Sequence, residues 1–150
     1  MRVVLQRVTA ADVRVDGAVA GRIGAGLVAF VGIGVGDRAA DVDALAGKTA
    51  ALRIFDTPDG ARSVGDVDGA VLVISQFTLL ADTRRGNRPS WIGAASPDQA
   101  RPLVERFATH LEDRGITVAR GIFGAHMVVS LVNDGPVTIV LDREGGISTK

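Results

Sequence analysis

Ser75, Gln76 and Thr78 interrupt an otherwise apolar run, Val71-Leu72-Val73-Ile74-Ser75-Gln76-Phe77-Thr78-Leu79-Leu80. Hydroxyl and amide groups in such a run are costly to bury without partners. Either they bond to neighbouring backbone, or the strand ends at a pocket and offers them to a ligand. A second polar break, Asn133-Asp134-Gly135-Pro136-Val137-Thr138, lies near the C-terminus and favours the pocket. A nucleophilic Ser75 or Thr78 would need a base, normally a histidine oriented by a carboxylate. The chain has two histidines, His110 and His126. His110 sits beside an apolar helical stripe and His126 could border a pocket, but neither has a carboxylate locally paired with it. No triad is supported. Two imidazoles and no cysteine leave no multi-histidine or thiolate metal site, so neither metal nor cofactor is expected. Arg84, Arg85 and Arg88 cluster with Asn87 and Trp91 in a segment without apolar period. They read as a solvated loop or as a patch neutralising nucleic-acid phosphates, with affinity falling as salt rises. Trp91 reads as a packing residue in preference to a base-stacking one.

These groups need a scaffold, and the composition supplies one. With 150 residues, 47% hydrophobic content and mean hydropathy +0.27, the chain has enough apolar material for one well-packed domain over residues 1–150. Seventeen basic against seventeen acidic residues give net zero charge, which excludes a strongly basic coat but permits a local patch. No signal-peptide pattern is present, and Gly24 to Gly36 is too short and glycine-rich to span a bilayer, so a soluble cytoplasmic protein is expected. Strands are predicted over Arg2 to Val8, Leu27 to Ile33, Val71 to Leu80, Ile116 to Ala119, Met127 to Val132 and Val137 to Leu141. Asp16-Gly17 predicts a hairpin. Helices are predicted over Asp41 to Arg53, and from the capping segment Ser96-Pro97-Asp98-Gln99 to a stop at Gly115. Arg143 to Lys150 reads as a loose tail. The class is α/β, with mixed, largely antiparallel sheets and two main helices. Alternation along a strand sends Ser75 and Phe77 to one face and Gln76 and Thr78 to the other. Only a bulge or a strand end would gather all four, and Phe77 fits core and pocket wall equally.

Five segments carry a resemblance in their order along the chain: Gln6-Arg7-Val8, Ser75-Gln76-Phe77-Thr78-Leu79, Arg85-Gly86-Asn87-Arg88-Pro89-Ser90, Gly121 to Met127, and Asn133 to Thr138. Together they resemble the motifs of D-aminoacyl-tRNA deacylases, the D-tyrosyl-tRNA deacylase family. Trp91 stands where that family often has Phe. The resemblance implies the family's fold and a homodimeric hydrolase that frees D-amino acids, and glycine from mischarged tRNA, from the tRNA 3′ end. It assigns catalysis to Ser75, Gln76, Phe77 and Thr78, and support of the pocket to Arg7, Phe123, Met127 and Asn133. Arg84, Arg85 and Arg88 would face the tRNA. It also implies a cis Gly135-Pro136 inserted into the neighbouring subunit's site, where it excludes L-amino acids. D-aminoacyl-tRNA is then the expected partner, with neither DNA nor membrane. Lacking a base, the chemistry would rest on positioning, on backbone N–H groups around Gln76 and Phe77, and on the terminal ribose 2′-hydroxyl. A non-enzymatic RNA- or protein-binding module on the same fold is the alternative, and a peptidase with a Thr78 nucleophile a weaker one.

Overall fold

The computed structural model describes residues 1–143, so the predicted tail beyond Arg143 lies outside the described residues. In chain order the elements are β1 (Arg2–Val15), β2 (Ala18–Ile23), β3 (Gly26–Gly32), α1 (Ala39–Ala51), β4 (Phe55–Thr57), β5 (Gly60–Arg62) and β6 (Ala70–Ser75). A 3-10 turn (Phe77–Leu80), α2 (Pro97–Glu112), β7 (Thr117–Arg120) and β8 (Val128–Asp142) complete the described chain.

Asp16 and Gly17 both take positive φ, 50° and 80°, which closes the tight β1–β2 hairpin that this dipeptide favours. β1 is the spine of the sheet. Its first half pairs antiparallel with β3, its second half with β2, and β8 runs antiparallel along nearly its whole length. β3, β6 and β7 are joined by parallel pairing. The resulting sheet, ordered β2-β1-β3-β6-β7 with β8 on β1, curls so that β2 also meets β6 and β7. One core lies between the sheet and the helices and includes Leu5, Leu27, Val71, Val73, Phe107 and Leu111. The other fills the inside of the curl, with Val13, Val28, Leu72 and Ile74. Alternate residues of β6 therefore enter opposite cores, as a strand buried on both faces requires.

Two predicted strands, Met127 to Val132 and Val137 to Leu141, are joined in β8. The polar break between them is carried inside the strand, where the register against β1 shifts between Gln6 and Val8. The Gly135–Pro136 peptide is cis. The pivot strand is shorter than predicted, ending at Ser75 instead of running to Leu80. Arg143, assigned to a loose tail, is tied down. Its N–H donates to the Met1 carbonyl at 2.8 Å and its Nε to Asp41 Oδ1 at 2.7 Å. Asp41 is buried; desolvation would raise its pKa, but the Arg38 N–H and the Arg143 guanidinium outweigh that and lower it.

Candidate active site

Ser75 ends β6 because the chain turns there. The Gln76 N–H still donates to Val31 O at 2.8 Å, completing the parallel ladder with β3. Phe77 to Leu80 then coil into the 3-10 turn, which packs over Gly32. A Cβ at Gly32 would stand 2.5 Å from Leu80 Cδ2 and 2.9 Å from Gln76 O, so only glycine admits this approach. The Gln76 N–H, expected near an oxyanion, is thus committed to the sheet. The Phe77 and Thr78 N–H groups open the turn and have no acceptor among the described residues.

The strand end walls a cavity of about 380 Å³, lined by Ser75, Gln76, Phe77, Trp91, Arg101 and Phe123, among others. That is within the range of small-molecule sites, roughly 300–1,000 Å³. Phe77 is 56% exposed, which removes it from the core, and meets Trp91 edge-to-face at 5.4 Å. Trp91 does pack, but against a cavity wall, and it keeps 42% exposure. Thr78 does not line the cavity; its Oγ1 contacts the Gln76 amide nitrogen beside it. Phe123 lines it directly, whereas Met127 lies behind, with its sulfur against Gly121.

Arg7 and Asn133 belong to a second cluster around the β8 break. Asn133 Nδ2 donates to Arg7 O and to Val137 O, each at 3.0 Å. Gln6 Nε2 donates to Thr138 Oγ1 at 3.1 Å. The Arg7 guanidinium bonds to Ile54 O and lies 3.1 Å from Asp134 Oδ2, close enough for an ion pair though not aligned as a hydrogen bond. Asp134, Gly135 and Pro136 are exposed and do not line the cavity of the same chain. The structure thus separates the two segments within the chain.

Neither histidine serves the cavity. His126 is exposed, and His110 lies between the helices with Nδ1 3.4 Å from Asp43. Among the described residues no three His, Cys, Asp or Glu side chains converge to hold a metal. Arg84 grips Asp82 through two contacts, 2.9 and 2.7 Å, and holds that carboxyl well below the usual range. Arg85 and Arg88 are exposed and have no carboxylate partner among the described residues. Arg101 was not singled out in the sequence. Its guanidinium stands 4.8 Å from the Phe123 ring centroid, a contact that no local spacing announces.

Over residues 4–142 the sequence matches the family described as D-Tyr-tRNA(Tyr) deacylase. The chain belongs to this family. A protein named D-aminoacyl-tRNA deacylase from Roseiflexus castenholzii is 58% identical over 144 residues, 95% of this chain and 92% of that one. One of the same name from Heliobacterium modesticaldum is 53% identical over 99% of this chain and all of its own. Among solved structures, a c-Myc DNA unwinding element binding protein superposes with TM-score 0.89 at 36% identity, covering 96% of this chain and 99% of that one. A probable eukaryotic D-amino acid tRNA deacylase has the same fold, with TM-score 0.82 at 17% identity over 95% and 98% of the two chains. Membership of the deacylase family therefore accounts for the fold.

Proposed function

We propose that this chain hydrolyses the ester bond of D-aminoacyl-tRNA, and of mischarged glycyl-tRNA, releasing free amino acid and tRNA. One observation carries the reading: at the end of β6 Ser75, Gln76 and Phe77 turn into the wall of a small-molecule-sized cavity. It does so in a chain 58% identical to a protein named for this activity. A tRNA substrate places the reaction in the cytoplasm, the compartment of translation.

The ester carbonyl sits at the start of the 3-10 turn, where the free Phe77 N–H can meet a developing oxyanion. One such donor is worth on the order of 100- to 1,000-fold in rate. With no histidine at the cavity, the neighbouring 2′-hydroxyl of the terminal ribose activates water or the carbonyl, and the side-chain hydroxyls of Ser75 and Thr78 assist. Selectivity comes from Gly135-Pro136 of a second copy, whose backbone carbonyls receive the substrate ammonium. That backbone then fills the space an L side chain would need, whereas a D side chain points outward and glycine passes. Asn133 and Arg7 brace this segment from behind. Arg85 and Arg88, with Arg84 once it leaves Asp82, meet acceptor-stem phosphates.

The test is release of free amino acid from D-aminoacyl-tRNA by purified protein at catalytic turnover, with L-aminoacyl-tRNA intact. Stoichiometric binding without release would leave a second reading, a nucleic-acid-binding module on this fold. That reading is favoured by the name of the 36%-identical solved structure.

A further inference from the structure

Among the described residues fourteen line the cavity, of which one, Arg101, carries a formal charge. Arg101 is exposed at the second turn of α2 and has no carboxylate within ion-pairing distance among the described residues. Its own helix offers Glu105 one turn on, the usual partner at that spacing. Glu105 is taken: Arg120 reaches it at 2.9 Å and reaches Glu112 at 2.7 Å, which raises the Arg120 pKa. A neighbouring cavity of about 550 Å³ shares Ser75, Arg101, Val104 and Phe123 with the first. Arg101 and Phe123 are thus a common wall, and among the described residues Arg101 is the one unpaired cation lining either cavity.

An arginine resting on an aromatic ring keeps its planar set of N–H donors free at the edge. Being weakly hydrated, it gives up little to meet a phosphate through two donors. Holding the guanidinium over Phe123 also removes in advance much of the side-chain entropy that binding would cost. The apolar lining suits a nucleoside, and the nearest negative charge on such a substrate is the phosphodiester that joins it to the preceding nucleotide.

We propose that Arg101, held over Phe123, binds the phosphodiester between the terminal and penultimate nucleotides of the tRNA 3′ end. The proposal rests on the deacylase reading and adds to it the group that recognises RNA at the cavity itself. It also divides the work among the arginines. Arg101 fixes the 3′ end at the reacting centre, and the 81–91 loop meets phosphates further away.

The experiment compares D-aminoacyl-tRNA with the phosphate-free ester D-aminoacyl-adenosine, using wild type, Arg101→Ala and Arg101→Lys. A charge-assisted hydrogen bond of this kind is worth roughly 10- to 100-fold. Arg101→Ala should raise KM for the tRNA by that factor with little change in kcat. It should lower kcat/KM for the tRNA at least 10-fold more than for the phosphate-free ester. The slope of log KM against log salt should fall by about 0.7, one single-strand phosphate contact. Arg101→Lys should recover part of the tRNA KM. Equal losses on both substrates would overturn the proposal and leave Arg101 as a prop for Phe123. Unchanged KM for the tRNA would overturn it too, and in both cases the deacylase reading would stand. Wild type that cleaves neither ester would overturn the deacylase reading itself and this inference with it.

Discussion

Thr78 shows at the residue scale what a hydroxyl in a signature motif can and cannot do. Its Oγ1 touches the Gln76 amide, it does not line the cavity, and both histidines lie elsewhere. A threonine so placed has no base to make it a nucleophile, so its contribution is of hydrogen-bond size, about 0.5–1.5 kcal/mol. Thr78→Ala should therefore retain deacylation within about 10-fold of wild type. A substrate ending in 2′-deoxyadenosine, esterified at the 3′ oxygen, should bind but turn over poorly. A dead Thr78→Ala with normal cleavage of the deoxy substrate, or a trapped acyl-Thr78, would make threonine the nucleophile. The placement of Ser75 and Gln76 at a cavity was legible in the sequence because polar atoms in an apolar run demand an explanation, whereas Thr78, read the same way, lies off the cavity. That of Phe77 was not legible, since a phenyl ring suits core and pocket alike until its 56% exposure decides. Arg101 was silent for another reason: its meaning lies in a ring that follows the helix in the chain and returns to it only in the fold.

At the scale of elements, the Phe77–Leu80 turn depends on β3 as much as on β6. The neighbours of Gly32 were illegible in the sequence, because Leu79 and Leu80 reach it only through the parallel β3–β6 pairing. That pairing also explains why the predicted strand to Leu80 stops at Ser75. The ladder ends at Val31 and Ser75, and beyond it the chain coils over Gly32. Gly32→Ala places a methyl 2.9 Å from the Gln76 carbonyl and 3.0 Å from Leu79 Cβ. Backbone cannot rotate away as a side-chain tip can, so the turn itself must move. Overpacking of this kind costs about 1–3 kcal/mol. A displacement near 1 Å at a reacting centre can cost about 100-fold in rate. Gly32→Ala should thus remain folded with a lowered melting temperature, while kcat falls at least 10-fold. Full activity in a folded Gly32→Ala protein would mean that β3 does not position the turn.

For the whole molecule, the unanswered element is the outer face of β8. Its strand pairs only with β1 among the described residues, and Val128, Val132 and Val140 stand 56%, 59% and 55% exposed along it. A long apolar strand at a sheet edge is seldom left to water. Strand order was illegible in the sequence because β1 and β8 come from opposite ends of the chain, yet their pairing is what carries Gly135 and Pro136 to this surface. A self-complementary contact through β8 would return the dipeptide of each subunit to the cavity of the other. Mixing two inactive variants tests this directly. In Gly135→Val the new side chain meets Arg7 Nη2 and Val137 Cγ2, each 2.9 Å from the Cβ position, at a φ of +115° that β-branched residues avoid. Phe77→Asp leaves that segment intact and spoils the cavity wall. Each protein alone should be inactive. After unfolding and refolding together, half the dimers should be mixed, each with one complete site, restoring about a quarter of wild-type activity. If Gly135-Pro136 served its own chain, both sites of a mixed dimer would stay broken and no activity would return.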